Sequence, residues 1–314
     1  MQAIETVVAQ HAHGISGAAP EMALESTHRC PICRSRLQRL PETSKPQGRR
    51  CIGCGLLVMA ASTGAADREN MLRHYCAVDP HEQVAVSKTA FFQEALRHLD
   101  SKVARTPRRL VDIGCGFGYF LEKAQAAGWE AGGVDIVPEA IRSAKDRLPD
   151  AEVFLGNLRE AQLPSNSADA VTLWDVLCHV DDPAAELKEC HRILSPGGIV
   201  GIRLRNVETQ LWLGRWYSRL SFILRRFGVK PLHVFHRFNF SRKAIERLLA
   251  ASGFVDITVC NSPLTSGDPY ACTPIGASVR IGKFLAGALA EAAYRSTRGR
   301  MVIGPSLLAW ARKP

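Results

Sequence analysis

The sequence predicts an α/β protein: a doubly wound, seven-stranded, mostly parallel sheet, preceded by a small domain that is built around four cysteines. Two observations lead to this prediction. Apolar, strand-like runs alternate with helical patterns from residue 86 onward, which is typical of a parallel sheet with helices on both faces. Before them stand two Cys-x-x-Cys pairs, separated by 17 residues. We therefore predict the following organisation: a flexible N-terminus at 1–25, a four-cysteine zinc-binding domain at 26–60, a linker at 61–85, and an α/β domain at 86–314 with insertions at 206–240 and 261–304.

The composition of the 314-residue chain is that of an ordinary soluble domain, with 46% apolar and 22% charged residues. Met1 to Gly17 lack a secretion signal, and no run of about 18 apolar residues suggests a spanning helix. We therefore expect a cytoplasmic protein with reduced cysteines. Peripheral contact with the inner face of the membrane is the alternative. The net charge of +10 favours anionic partners.

The two cysteine pairs predict a structural Zn²⁺ site. Two residues between thiolates let one tight turn present both sulfurs, and two such turns supply a tetrahedral set. Four protein ligands leave no open position for catalysis, so the ion would stabilise a segment too short to bury its own core. The predicted ligands are Cys30, Cys33, Cys51 and Cys54.

The first strand of the large domain enters a glycine-rich turn. A helix is predicted over 86–99, and an apolar run at 109–113 then leads into Gly114, Gly116 and Gly118, followed by a second helical pattern. Glycines at the start of a helix let the backbone approach a ligand closely. This turn is the first candidate binding element.

The next unit ends in a carboxylate. Gly128 to Asp135 predicts a turn and a strand, and Asp135 lies 19 residues after Gly116, where an acid can accept hydrogen bonds from both hydroxyls of a ribose. The later elements follow by the same patterns. Further strands are predicted at 152–155, 169–173, 199–204, 254–259 and 306–311, and further helices at 139–148, 183–194, 211–228, 242–251 and 281–294.

These motifs resemble those of class I methyltransferases that use S-adenosylmethionine (SAM), over roughly residues 85–260 and 305–313. Val111 to Gly118 matches the segment that holds the methionine part of SAM, Gly133 to Asp135 the ribose motif, and Leu194 to Gly198 the turn before the fifth strand. The sequence departs from the family at Asn157, where Asp is common, and at Cys178, where Glu is usual. An NAD-binding domain is the alternative, but it normally carries Gly-x-Gly-x-x-Gly. The residues that the resemblance assigns to SAM are Asp112, Gly114, Cys115, Gly116, Gly118, Asp135, Ile136, Asn157, Leu158, Trp174 and Asp175.

The stretch from Thr209 to Ile245 contains no Asp or Glu, but eight Arg or Lys and eight aromatic residues. Leu211 to Gly228 predicts a basic amphipathic helix with Arg215, Arg219 and Arg226 on one face. Three roles stay open: a lid helix whose arginines are simply solvated, contact with an anionic membrane or a lipid-linked acceptor, and binding of an RNA backbone.

Methyl transfer to an alcohol or a carbon acid needs a base, and a neutral histidine suits that task near pH 7. The candidates are His236, His233 and His179. The cysteine pairs together with the SAM motifs are similar to methyltransferases that act on nucleotide- or lipid-linked sugars in polysaccharide or glycolipid biosynthesis. The predicted acceptor is accordingly a small-molecule or lipid-linked, anionic saccharide. An RNA methyltransferase and a SAM-binding scaffold without activity are the alternatives; the oligomeric state stays open.

Overall fold

The computed structural model describes residues 28–40, 48–59, 81–104, 106–226, 236–263 and 277–314. The predicted flexible terminus at 1–25 and most of the predicted linker lie outside these residues. Helix α1 begins at His81 and ends at Lys102, so it includes the last five positions that the sequence assigned to the linker.

A seven-stranded sheet forms the centre of the molecule, in the order β10-β11-β8-β7-β4-β5-β6. Five neighbouring strands, β8 to β6 in that order, run parallel, whereas β11 is antiparallel to both β8 and β10. This confirms the predicted fold class. The strands are β4 Arg109–Ile113, β5 Glu130–Asp135, β6 Val153–Leu155, β7 Ala168–Trp174, β8 Leu194–Arg205, β10 Val255–Asn261 and β11 Ser306–Arg312.

Six further helices accompany the sheet in the described residues: α2 Tyr119–Ala126, α3 Pro138–Arg147, α4 Pro183–Ile193, α5 Val207–Arg226, α6 Arg242–Ala251 and α7 Ala277–Ser296. Local chemistry fixes two of their beginnings. The Asp182 carboxylate accepts hydrogen bonds from the amides of Ala184 and Ala185 at the start of α4, and the Ser241 hydroxyl accepts one from Ala244 at the start of α6. Among the described helices, none combines the length and the apolar character needed to cross a bilayer.

The four-cysteine segment, which we call the ribbon, forms a second sheet with strands β1 Leu37–Arg39, β2 Gly48–Cys51 and β3 Leu57–Met59. A fourth strand, β9 Phe238–Asn239, comes from the large domain and pairs with β3. Apolar side chains of the ribbon, among them Leu56 and Val58, belong to the same buried cluster as Phe240 and Ile245. The ribbon therefore shares its core and its sheet with the large domain instead of forming a separate unit.

Candidate active site

The carboxyl ends of the parallel strands meet at one edge of the large sheet, and the loop after β4 forms the first part of that edge. Gly114 and Gly116 have φ angles of 69° and 54°, which favour glycine. A Cβ on Gly114 would lie 2.3 Å from Val176 Cγ2, whereas a Cβ on Gly116 would meet nothing within 4 Å. The loop thus packs tightly on one side and leaves open space beside Gly116.

Asp135, at the end of β5, ties this loop to the neighbouring strand. Its Oδ2 accepts a hydrogen bond from the Gly116 amide at 2.8 Å, and its Oδ1 accepts one from the Val137 amide at 2.9 Å. Burial raises the pKa of Asp135, although these amides act in the opposite direction. The adjacent Ile136 is 44% exposed, so it offers an apolar surface beside the carboxylate. We call Gly114, Gly116 and Asp135 the glycine end.

Three other residues assigned to SAM by resemblance have structural partners. The Asp112 carboxyl is buried and accepts a 2.5 Å hydrogen bond from Thr172 Oγ1; burial raises its pKa to about 8. Asn157 Oδ1 accepts hydrogen bonds from the amides of Arg159 and Glu160, so that oxygen caps its own turn. Leu158 is fully buried in the core, where its side chain does not face the open edge.

Trp174, the last residue of β7, packs in the core beneath this edge of the sheet. The Trp174 indole is buried and makes edge-to-face contacts with Phe91, Phe120 and Trp310, at centroid distances of 4.9, 5.3 and 6.0 Å. Such contacts fix the ring in the core. Trp174 therefore stabilises the edge by its packing in the core.

Asp175 has a left-handed backbone, with φ at 65°, and its carboxylate forms ion pairs with two buried cations. Lys88 of α1 donates from Nζ at 3.2 Å, and Arg203 of β8 donates from Nη1. Burial alone would raise the pKa of Asp175, but the charges of Arg203 and Lys88 outweigh it and bring the pKa to about 2. The group is an ionised carboxylate held in place by its two partners.

The structure brings two of the three predicted histidines together. The rings of His179 and His236 lie 4.2 Å apart between centroids, and their ligand atoms lie within 4.8 Å of each other and of Cys178 Sγ. Burial, with the nearby His179 and Arg205, lowers the pKa of His236 to about 3, so its imidazole is neutral at physiological pH. We call Asp175, His179 and His236 the histidine end. The third candidate, His233, lies outside the described residues.

Asn239 fixes the backbone of His236 and connects it to the ribbon. Its Oδ1 accepts a hydrogen bond from the His236 amide at 3.0 Å, and its Nδ2 donates to the His236 carbonyl at 2.6 Å. Nδ2 also donates to the Leu57 carbonyl of β3 at 3.3 Å. Nearby, the Met59 amide donates to the Arg237 carbonyl at 3.0 Å, and the Ser241 hydroxyl donates to the Cys54 carbonyl. The histidine end is therefore attached to the four-cysteine segment.

The four cysteines of the ribbon converge. Their sulfur atoms all lie within 4.8 Å of one another, with 3.6 Å between Cys30 and Cys54 and 3.3 Å between Cys33 and Cys51. A tetrahedral Zn–S₄ site with bonds of about 2.3 Å has sulfur–sulfur edges of about 3.8 Å. The amides of Gly53 and Cys54 point at Cys51 Sγ, at 3.3 and 3.4 Å. This donor set fits Zn²⁺.

Sequence reasoning missed Lys88, Arg203 and Asn239. Two of the three carried a signal: Arg203 lies within a mostly apolar strand, and Asn239 stands between two phenylalanines. Lys88 is one cation in an amphipathic helix, and nothing in the sequence indicates that α1 directs it at Asp175. These residues find their partners through the tertiary arrangement.

Comparison with known proteins agrees with this geometry. A family model described as "Methyltransferase domain" matches residues 27–259. A probable S-adenosylmethionine-dependent methyltransferase of Mycobacterium tuberculosis is 29% identical over 155 residues, which cover 49% of this chain and 52% of that protein. A ubiquinone biosynthesis O-methyltransferase of Serratia proteamaculans is 30% identical over 34% of this chain and 46% of that protein. This chain thus spans about half the length of the curated relatives it matches.

A SAM-dependent methyltransferase of Thermotoga maritima, described as a possible histamine N-methyltransferase, superposes with a TM-score of 0.48 at 20% identity, covering 78% of this chain and 99% of that one. The family match extends over most of the chain and includes the ribbon as well as both ends of the sheet edge. The chain belongs to the methyltransferase-domain family, and its mycobacterial relatives are named probable SAM-dependent methyltransferases.

Proposed function

We propose that the protein transfers the methyl group of SAM to a hydroxyl group of a lipid- or nucleotide-linked saccharide. The histidine pair carries this proposal. At the carboxyl edge of the sheet, the imidazoles of His236 and His179 lie 4.2 Å apart between centroids, where a histidine would accept the proton of an acceptor hydroxyl.

The glycine end would hold SAM. Gly116 offers its backbone to open space, Asp135 has a fixed carboxylate for the ribose, and Ile136 offers an apolar surface. Because the sulfonium methyl is already activated, the protein mainly has to align the two reactants and exclude water. His236 would accept the hydroxyl proton as the oxygen attacks the methyl carbon and the S–CH₃ bond breaks, which leaves S-adenosylhomocysteine and the methyl ether.

Zn²⁺ in the ribbon would have a structural role and no catalytic one. Cys30, Cys33, Cys51 and Cys54 would hold the ion, which would stabilise β1 to β3; β3 pairs with β9 and accepts a hydrogen bond from Asn239, which also bonds to the backbone of His236. The metal thus supplies cross-linking of a short segment and no open coordination position. The ribbon would form one wall of the histidine end.

The exposed side of α5 supports a lipid-linked acceptor over RNA. Trp212, Trp216 and Phe222 are 57%, 46% and 87% exposed, and the guanidinium of Arg219 lies 5.9 Å from the Trp216 ring. Exposed aromatic rings next to arginines are typical of a helix that lies in the interface of an anionic membrane. Peripheral attachment there would bring the site to a membrane-anchored acceptor.

A labelled-methyl experiment tests the proposed reaction. The zinc-loaded protein is incubated with [methyl-¹⁴C]SAM and either lipid extract, nucleotide-sugar fraction or total RNA of the source cells. We expect label in a saccharide of the first or second fraction, and its loss with His236→Gln, while SAM binding persists. Label in RNA would replace the proposal by the RNA alternative, and SAM binding without label in any fraction would favour a scaffold.

Membrane contact has its own test. We expect the protein to cosediment with phosphatidylglycerol-containing vesicles at low salt, and Arg215→Glu with Arg219→Glu to abolish this. The matched control is Arg97→Glu with Arg142→Glu, which changes the charge equally at exposed positions elsewhere. Equal loss in both double variants would mean that net charge, not α5, drives the attachment.

A further inference from the structure

A concave groove of about 610 Å³ lies on the ribbon, and it is lined by His28 and by four arginines, Arg29, Arg36, Arg39 and Arg49. It is formed by the segment before β1 and by β1 and β2, whereas β3 and β9 carry the connection to His236. The SAM motifs and the histidine end contribute none of its lining residues. Neither the fold nor the proposed reaction accounts for this concentration of positive charge.

The arginines are placed opposite one another across strand pairs. Arg39 of β1 is the register partner of Arg49 of β2, and Arg29 forms a β-bridge with Arg36. Like charges directly opposite each other in an antiparallel pair are destabilising. Two such pairs around one concave surface are costly unless an anion lies between the guanidinium groups.

The charges have no protein counterion in the described part of the chain. Among those residues, no carboxylate lies in ion-pair distance of Arg29, Arg36, Arg39 or Arg49. The Nη1 atom of Arg49 is buried and, within the same residues, lacks a hydrogen-bond acceptor. Its sequence neighbour Arg50 shows the contrast, because it reaches Glu208 at 3.5 Å. A buried donor without a partner is costly, so Arg49 is an unsatisfied donor in the wall of the groove.

We propose that this groove binds a diphosphate group. Guanidinium groups bind phosphate oxygens through paired hydrogen bonds, and four of them match the several acceptor oxygens and the charge of a diphosphate. Among the residues that the structure describes, no Phe, Tyr or Trp lines the groove, so that part of it offers no stacking surface of the kind on which single-stranded RNA recognition depends. The diphosphate could belong to a nucleotide or to a lipid carrier, and both share this chemistry.

The site deepens the proposed function, since it would hold the diphosphate of a nucleotide- or lipid-linked acceptor. It stands on its own observations, however, and its test needs no methyl acceptor. Calorimetry on the zinc-loaded full chain at low ionic strength measures binding of uridine 5′-diphosphate, geranyl diphosphate and, for comparison, uridine. We expect both diphosphates to bind and uridine not to bind; the tighter diphosphate identifies the source.

Two exposed groove residues provide the variants. Arg36→Gln and Arg39→Gln should each weaken diphosphate binding by about tenfold, the usual effect of losing a hydrogen bond to a charged group. In anion-free buffer, Arg39→Gln should not lower the melting temperature, because it removes one of two opposed charges. Arg34→Gln is the matched control: Arg34 is an exposed ribbon arginine that does not line the groove, and its substitution should leave the affinity unchanged.

Three results would overturn the site: equal affinities for uridine and its diphosphate, unchanged affinities in both groove variants, or binding of a 20-nucleotide RNA without binding of either diphosphate. The dissociation constant of SAM, measured in the same preparations, separates these outcomes from a failure of the proposed reaction. It should be the same in wild type and in all three variants, because the groove lies outside the glycine end.

Discussion

The glycine end and the histidine end lie on the same edge of one sheet, but they are constructed differently. The glycine end consists of backbone and one carboxylate, and its main contact joins Gly116, in the loop after β4, to Asp135, at the end of the adjacent strand β5. The histidine end depends on contacts between distant parts of the chain: Asn239 bonds to Leu57, Asp175 to Lys88 and Arg203, and His236 lies against His179. The glycine end can form whenever the parallel sheet forms, whereas the histidine end also requires the ribbon and α1.

This difference suggests that cofactor binding and recognition of the other substrate are carried out by separate parts of the fold. A shared cofactor can be bound by a local, repeated unit of the fold. The other substrate is recognised by parts added to that fold, here the ribbon, the loop before β9 and α5. The two ends should therefore respond independently to changes in zinc, pH and sequence.

Loss of the metal should produce the largest difference between the responses of the two ends. Cys51→Ser should remove the bound zinc and the order of the ribbon, because zinc binding to such sites contributes on the order of 10 kcal/mol to folding. Hydrogen exchange should then rise at the amide of Met59, which donates to the Arg237 carbonyl, while the dissociation constant of SAM stays within about twofold. Metal analysis of the wild type should find one zinc per chain.

Cys260→Ser is the matched control, since Cys260 lies in β10, outside the ribbon. It should keep its zinc and its exchange pattern. A parallel loss of SAM binding in Cys51→Ser would show that the two ends form one cooperative unit and would remove the contrast between them.

The histidine end should also be the more sensitive to acid. The pKa of His236 lies at about 3, against an ordinary value of 6.5, so in this window the unfolded chain binds a proton that the folded chain does not. Its contribution to the free energy of unfolding is therefore lost as pH falls from 6.5 toward 3, by on the order of a few kcal/mol. His179, Arg205 and Asp175 face the same imidazole and act on its charge.

Denaturant unfolding of wild type and of His236→Gln between pH 7 and pH 4 measures this. The difference between the two curves removes the contributions of Asp135 and the other acids. We expect the wild type to lose more stability on acidification than the variant. Equal slopes would mean that His236 titrates normally and is not desolvated.

A smaller effect is expected from the residue that joins His236 to the ribbon. Asn239→Ala leaves the Leu57 carbonyl and both backbone groups of His236 without this partner, which costs about 1–3 kcal/mol. Asn239→Asp keeps the acceptor for the His236 amide but places a buried carboxylate oxygen against the carbonyls of His236 and Leu57, so its loss of stability should exceed that of the alanine variant. Protection of the His236 amide against exchange should fall in the alanine variant and survive in the aspartate variant. Identical protection in both would rule out Asn239 as a positioning residue.

The contrast between the ends also explains what the sequence could predict. The glycine end follows from adjacent segments: a glycine turn after a strand and an acid one unit later, so Gly114, Gly116 and Asp135 could be placed from pattern alone. The four cysteines also converge as their spacing predicts. The pairing of β3 with β9 could not be predicted, because a two-residue strand has no periodicity and its partner lies about 180 residues away. The burial of the Leu158 and Trp174 side chains could not be predicted either, because packing decides which way a side chain at a strand end points.

The smallest expected effect concerns the glycine end, and it tests whether that end acts alone. Asp135→Ala removes the proposed acceptor for the ribose hydroxyls and also the carboxylate that holds the Gly116 and Val137 amides. We expect the affinity for SAM, measured by calorimetry, to fall about tenfold, or about 1.4 kcal/mol. Asp135→Asn keeps one oxygen for an amide and should lose less. In both variants the zinc content and the exchange of the His236 amide should equal those of the wild type, since the Asp135 carboxylate bonds to Gly116 and Val137 and, among the described residues, to none of the ribbon. An unchanged affinity in Asp135→Ala would refute the assignment of this carboxylate to the ribose, whereas a changed exchange at His236 would show that the two ends are coupled through the sheet.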